Sequence, residues 1–261
     1  MSAVFSAVAV VTGIGAICGL LLVIAAKFMY VPVDERASLV REQLPGANCG
    51  ACGFAGCDDY AAAVAAGTAM TNQCVVGADA VAAKIAEVMG VEALDVVEMV
   101  GVVTCRGCAE KPQIYEYEGI HSCAAAAMLH GGPGSCSYGC VGFGDCVAAC
   151  KFDAIHVING VAKIDPSVCT GCGSCAAACP KQIIKMLPQV NRAAVLCINK
   201  DKGAIARKAC TNACIGCMKC EKICPNDAIH VVNFCAQIDT EKCLNCRKCE
   251  SECPTGAICI G

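Results

Sequence analysis

Hydrophobic and polar positions divide this 261-residue chain into stretches of different texture. From Ser2 to Ala26 there are 25 residues without a charge. At ~1.5 Å per residue such a run exceeds the ~30 Å hydrocarbon core of a bilayer, so it predicts a transmembrane helix with some tilt. A secretory signal would want a basic start and a shorter apolar stretch, and neither is present. The bulky Ile17 beside Cys18 argues against a lipoprotein. Lys27, Arg36 and Arg41 follow the run and no basic residue precedes it. The positive-inside rule then sets the rest of the chain on the cytoplasmic side. Gly15 and Gly19 form a GxxxG, which permits close approach of another membrane helix. Farther on, the Ala-rich stretches YAAAVAAG and ADAVAAKIAEVMG read as helices. Later still, DAIHVIN followed by VAKID, and DAIHVVN followed by CAQID, read as pairs of short strands around a turn.

The second half repeats itself. A shift of 74 positions aligns FDAIHVINGVAKIDPSVC with NDAIHVVNFCAQIDTEKC without a gap. The register extends upstream, where Cys123 meets Cys197, Cys136 meets Cys210 and Cys140 meets Cys214. The expected organisation is a membrane anchor over 1–30, a small helical domain over 31–100 and a connecting segment with a Cys pair over 101–122. Two tandem modules follow, at 123–190 and 191–261. The fold class is α+β.

Composition changes the picture through one residue type, because 28 residues are Cys. Such density means a disulfide scaffold or a metal protein. The chain is far longer than the domains that need disulfide staples. Spacings of two and three residues suit a shared inorganic centre better than bridges. Zinc is the sharper rival, since C-x2-C pairs bind it, but zinc sites use two separated pairs. A formal net charge of −3 gives no sign of nucleic-acid binding. With no Trp and six Phe, the core must be filled by Ala, Val, Ile and the metal centres themselves.

Three runs read C-x2-C-x2-C-x3-C-P: Cys169, Cys172, Cys175 and Cys179; Cys214, Cys217, Cys220 and Cys224; Cys243, Cys246, Cys249 and Cys253. This is the spacing of two-cluster ferredoxins, in which the fourth Cys ligates the other cluster. Cys214, Cys217 and Cys220 therefore pair with Cys253, and Cys243, Cys246 and Cys249 with Cys224. In the first module Cys169, Cys172 and Cys175 pair with Cys150. The remaining run there, Cys136, Cys140, Cys146 and Cys150, is irregular, with Phe143 where Cys217 stands and Lys151 in place of the usual Pro. Its centre has Cys140, Cys146 and Cys179, with Cys136 as the local choice of fourth ligand and a three-Cys [3Fe–4S] site as the alternative.

Residues 45–57 read PGANCGACGFAGC and Cys74 follows, so Cys49, Cys52, Cys57 and Cys74 suit one further [4Fe–4S] cluster. An uncharged N-terminal helix, LPGANCGACGFAGCDDYAAA and then ferredoxin repeats closely resemble the B subunit of the Rnf complex. That resemblance covers essentially the whole chain. It implies an ion-translocating ferredoxin:NAD oxidoreductase, in which this chain acts by electron transfer alone. It implies soluble ferredoxin and the other Rnf subunits as partners, and flavin, NAD and ion sites on those other subunits. The chain would sit in the cell (inner) membrane as a single-pass protein, touching lipid through residues 2–29. Electrons would enter through the ferredoxin modules and leave near 45–75. A polyferredoxin subunit of another membrane enzyme, such as a hydrogenase, is the alternative, and a zinc-stabilised scaffold is a third reading.

Five quartets leave eight cysteines. Cys18 is a small apolar residue of the anchor. Cys235 and Cys259 lie in strand-like text opposite Val161 and Lys185 of the other repeat, and read as core or edge residues. A sixth cluster could use Cys123, Cys197 and Cys210 with Cys105 or Cys108. Equally, Cys123, Cys136, Cys197 and Cys210 could form it, with Cys105 or Cys108 completing the first module. A small zinc site or free thiols is the plain alternative. No G-x-G-x-x-G opens a helix after a strand, no G-x4-G-K-[ST] occurs, and no nucleophile–base set is evident.

Overall fold

The computed structural model describes residues 2–28, 34–107, 112–190 and 193–260, with side chains of the first helix described at 12–25 and 27. Helix α1 covers Ser2–Phe28 and carries Lys27 in its last turn, where a cation faces the negative end of the helix dipole. Its described side chains are exposed on every side, Leu20, Leu22 and Val23 among them. Among the described residues no helix is long and apolar enough to cross a membrane. The side chains of residues 2–11, 26, 28 and 29, on which the anchor expectation also rests, lie outside the described residues.

The Ala-rich stretches are helical. Helices α2 (Glu35–Gln43), α3 (Cys57–Ala65) and α4 (Ala78–Met89) pack around Val40, Leu44, Tyr60, Ala61, Val64 and Ile85. Asp34 caps α2 by accepting from the Arg36 N–H at 2.9 Å, and Gly90 ends α4 in the left-handed conformation.

The repeat region builds two similar units of short helices and two-stranded antiparallel sheets. The first holds α5 (Cys123–Ala127), α6 (Asp145–Ala148), α7 (Ser174–Ala178) and the hairpin β2 (Ile155–Ile158)–β3 (Val161–Ile164). Its second sheet joins β4 (Ile184–Pro188) to β1 (Met99–Val103), the latter straddling the start of the connecting segment expected over 101–122. The second unit holds α8 (Gly203–Ala209), α9 (Lys219–Ile223), α10 (Lys248–Ser251), the hairpin β6 (Ile229–Val232)–β7 (Cys235–Ile238), and β5 (Ala194–Val195) paired with β8 (Ile258–Cys259). The two cores match position for position: Ile155, Val161, Ala162 and Ile184 in one, Ile229, Cys235, Ala236 and Ile258 in the other.

The strand pairing reveals a second register that the gapless shift hides. Thr104 N donates to Ile183 O at 2.7 Å, and Leu196 N to Ala257 O at 2.6 Å. Ile183 and Ala257 are repeat partners, so Thr104 corresponds to Leu196 and Cys105 to Cys197. The text Val102-Val103-Thr104-Cys105 lies against Ala194-Val195-Leu196-Cys197. The first unit thus starts at β1 and carries an insertion ending at Cys123.

One close approach positions the later chemistry. Gly216, at φ +64°, packs so tightly against the β6–β7 turn that an added Cβ would sit 2.9 Å from Phe234 O. Glycine there lets the Cys214 loop lie against the head of β7.

Candidate metal centres

The structure gathers 24 of the described cysteines into six groups of four. Cys49, Cys52, Cys57 and Cys74 line one hollow beneath α3 (quartet I). Cys150 faces Cys169, Cys172 and Cys175 (quartet II). Cys123, Cys140, Cys146 and Cys179 line a hollow in the same unit (quartet III). Cys105, Cys136, Cys197 and Cys210 converge between the two units (quartet IV). Cys214, Cys217, Cys220 and Cys253 form quartet V, and Cys224, Cys243, Cys246 and Cys249 quartet VI. The fourth cysteine of each run crosses to the neighbouring quartet, as the ferredoxin spacing requires. Cys108 lies outside the described residues.

Two of these groups differ from the ligand sets considered from sequence. Cys123 stands beside Cys140, Cys146 and Cys179, where Cys136 was the local choice. Cys136 instead joins quartet IV, and Cys123 takes no part there. The cause is local. Phe143 occupies the place of Cys217, and its ring packs 5.0 Å from His121 and 5.6 Å from Tyr117, drawing in the segment ahead of Cys123. Asp145 then holds that segment, accepting from Cys123 N at 2.8 Å, Ser122 Oγ at 2.9 Å and Ala124 N at 3.0 Å. Its repeat partner is Lys219, so the tether exists only in the unit that lacks the Cys217 equivalent.

Quartet IV is built symmetrically, two cysteines from each unit. Cys136 and Cys210 are partners in the 74-residue register, and Cys105 and Cys197 are partners in the strand register. Around it Arg106 N donates to Leu196 O at 3.0 Å, Asn212 Nδ2 to Arg106 O at 2.8 Å and Ser135 Oγ to Ala209 O at 2.7 Å. Asn199, 1% exposed, donates through its backbone N–H to Cys197 Sγ and through Nδ2 to Cys136 Sγ, both at 3.5 Å. No motif pointed to Asn199 or Asp145; each acts through the fold.

Quartet I is held by caps and a clamp. Asn48 Oδ1 accepts from Cys57 N at 2.8 Å, closing the loop onto the start of α3. The buried Tyr60 hydroxyl donates to Met70 O at 2.8 Å and accepts from Gln73 N at 3.2 Å, which fixes the approach to Cys74. Burial pushes the Tyr60 phenol up to about 12. Lys151, the residue in place of the usual Pro, reaches Ala47 O at 2.9 Å and ties quartet I to the turn carrying Cys150.

The donor chemistry fits iron–sulfur cages. Four soft sulfurs per hollow suit such a cluster. Among the described residues no three His, Cys, Asp or Glu side chains converge on one ion-sized point; the sulfurs are spread around hollows instead. Backbone N–H groups aim at several of them: Gly101 at Cys169 (3.5 Å), Cys140 at Cys105 (3.4 Å), Ala228 at Cys224 (3.3 Å) and Ala257 at Cys253 (3.3 Å). The Thr170 hydroxyl, next to Cys169, is buried with no protein partner among the described residues, and so is free to face an inorganic sulfide. Burial and neighbouring thiolates push Cys146 up to about 12 and Cys175 and Cys220 up to about 11. The positive charge of an iron core is what would make such a group ionise together. Cys197 and Cys214 run the other way. The neighbouring Cys235 thiol, ahead of burial, holds Cys197 and Cys214 below the usual thiol range.

The Asp145 tether is testable. Asp145→Ala removes three hydrogen bonds to a charged acceptor and leaves Cys123 N buried without its partner. The expected cost is about 1–3 kcal/mol locally, with an iron affinity at quartet III weaker by about 10–100-fold. Iron retention during anaerobic dialysis against a chelator measures it. Retention equal to the parent protein's would show that Asp145 does not hold Cys123.

Comparison with known proteins bears on these centres. Residues 44–76 match an Fe-S cluster family, residues 162–185 the 4Fe-4S binding domain family and residues 213–257 the 4Fe-4S dicluster domain family. The B subunit of the Na(+)-translocating ferredoxin:NAD(+) oxidoreductase complex of Acetobacterium woodii is 46% identical, over 93% of this chain and 73% of its own length. The proton-translocating counterpart of Clostridium ljungdahlii is 48% identical, over 92% and 85%. The B subunit of the ion-translocating oxidoreductase complex of Methanosarcina acetivorans is 39% identical, over 92% of both.

Proposed function

We propose a function from one premise: the chain belongs to the B-subunit family of Rnf-type ion-translocating ferredoxin:NAD(+) oxidoreductase complexes. It is an iron–sulfur electron-transfer subunit of such an enzyme complex. Each quartet, in our reading, holds one [4Fe–4S] cluster, so the chain carries six. The chemistry these groups supply when bound is uptake and release of single electrons. The protein's part is to hold them in sequence, exclude water and aim N–H groups at the ligand sulfurs.

The observation that carries the reading is a chain of contacts from quartet to quartet. Lys151 links the loop of quartet I to quartet II. Quartets II and III exchange Cys150 and Cys179 within one unit. Cys140 of quartet III donates its N–H to Cys105 of quartet IV. Cys197 of quartet IV and Cys214 of quartet V pack against the same core around Cys235 and Ala236, where Cys235 Sγ donates to Cys197 O and Ala236 N to Cys214 Sγ. Quartets V and VI exchange Cys224 and Cys253. These links support a relay in the order VI, V, IV, III, II, I.

The exposed Cys217 and Cys246 at the far end support that edge as the entry from soluble ferredoxin. Helix α1 precedes quartet I, and its described apolar side chains, at 12–25, are exposed. This supports α1 as a single-pass membrane anchor that keeps quartet I against the membrane subunits, with the modules on the cytoplasmic side.

Iron and acid-labile sulfide per chain test the reading, with EPR of the dithionite-reduced protein. Anaerobic material is expected to hold about 24 iron atoms, four for each of six cubanes. About 20 would remove one centre from the relay, and iron-free protein active in its complex would end the proposal.

A further inference from the structure

The internal repeat sets the loop of quartet VI beside that of quartet II. Cys243, Cys246 and Cys249 are the 74-residue counterparts of Cys169, Cys172 and Cys175. The two loops share a backbone conformation but not a surface. Gly171 and Gly173 lie at φ +71° and +73°, and their counterparts Asn245 and Arg247 at +52° and +60°. A side chain with a Cβ is disfavoured there, Asn less than most, and glycine escapes the penalty. Space does not explain the difference at 173, where an added Cβ would meet nothing within 4 Å. The second unit therefore keeps an arginine against its backbone preference, next to a ligand cysteine. Strain retained at such a place points to a use for the side chain.

The rest of the loop changes in the same sense. Leu244, 73% exposed, stands where Thr170 buries its hydroxyl. Lys248 replaces Ser174, and Lys242 replaces Val168. Lys242 lies 3.8 Å from Asp239, whereas Arg247 and Lys248 are exposed and, among the described residues, in no ion pair. Cys246 is exposed, while its counterpart Cys172 is half-buried. The first-unit loop is roofed in part by the chain itself, since Met99 O leaves no room for a Cβ at Gly171.

We propose that Leu244, Arg247 and Lys248 form the docking surface for an acidic electron-carrier protein at quartet VI, with Leu244 as the apolar contact beside Cys246 and the two cations as its rim. The proposal rests on the reading of this edge as the entry of the relay, and it names the residues that recognise the donor.

Charge along the chain favours an acidic partner at this end. Residues 191–261 carry ten Lys and Arg against seven Asp and Glu, whereas residues 31–100 carry three against ten. A carrier rich in carboxylates is drawn to the second unit and repelled by the domain of quartet I, so it is steered to one end of the relay and kept from the other. An apolar contact within a charged rim is also the ordinary anatomy of a protein interface.

The test uses the full chain in its complex and the pair Arg247→Gly and Lys248→Ser, the residues of the first unit. Glycine suits the left-handed backbone, so the double variant is expected to keep its iron and the EPR spectrum of the dithionite-reduced protein. The KM for a reduced acidic ferredoxin should rise about tenfold at low ionic strength, with the loss in KM rather than kcat. The salt dependence of kcat/KM should flatten. Arg247→Lys, which keeps the charge, should lie closer to the parent. Leu244→Thr should raise KM and leave the salt dependence as it was. Unchanged KM and salt dependence at full iron content would overturn the proposal. So would a larger rise in KM on replacing Met218 and Phe234 with glycine, since these exposed left-handed residues, counterparts of Gly144 and Gly160, stand at quartet V and the donor would then dock there. Cys246→Ser protein that retained all its iron would strike instead at quartet VI as a cluster site, an outcome read from iron alone and independent of donor kinetics.

Discussion

Serine in place of Cys210 is expected to leave about 20 iron atoms where the parent holds about 24, and to cut the proposed relay between its two halves. Quartet IV has two cysteines from each unit, so neither unit can complete it alone. Cys210 follows α8, and its neighbours in the quartet come from before β2 in the first unit and after β5 in the second. Among the described residues the nearest cysteine outside the quartets is Cys235, whose thiol donates to Cys197 O, while Cys259 lies on β8. With quartet IV gone, quartets V and VI should still be reduced by ferredoxin while quartets I, II and III stay oxidised. Rapid-freeze EPR after mixing the complex with reduced ferredoxin reads this, alongside the rate of NAD+ reduction. Prompt reduction of all remaining centres would show that electrons bypass quartet IV, and the proposed order would fall.

The second large effect concerns the proposed anchor. Ile14 and Ile17 lie near the middle of α1 and are exposed, at 58% and 62%. Arginine at both is expected to disfavour insertion by roughly 5–7 kcal/mol, at about 2.5–3.5 kcal/mol per charge at the centre of a membrane helix. The doubly substituted chain should move from the membrane fraction to the soluble fraction with its iron content unchanged, since the quartets lie elsewhere. Fractionation after an alkaline wash, with iron measured on both fractions, checks it. A variant still embedded after the wash would mean that α1 is not what holds the chain to the membrane.

The regular runs could be read directly because each packs three cysteines into one loop and a helical turn, where spacing alone decides which sulfurs face inward. Cys169, Cys172 and Cys175 sit together for that reason, and so do Cys243, Cys246 and Cys249. Quartet I was accessible in the same way, its glycine-rich loop running into α3. Cys105 was harder, because its kinship with Cys197 lies in strand pairing. The insertion before Cys123 breaks the 74-residue register, and β1 joins β4 across more than 80 positions of sequence. Cys123 itself was misleading: it aligns with Cys197 in sequence but is drawn to quartet III by Phe143 and Asp145.

Sequence alone determined that this chain carries soft-metal centres in one glycine-rich loop and two repeated units, behind an N-terminal run of 25 uncharged residues, since local spacing and charge are properties of the chain wherever it folds. Only the tertiary structure decided how the unpatterned cysteines are shared out. Cys105, Cys136, Cys197 and Cys210 meet through strand pairing and the docking of one unit on the other, and contacts of that kind leave no periodic mark along the chain.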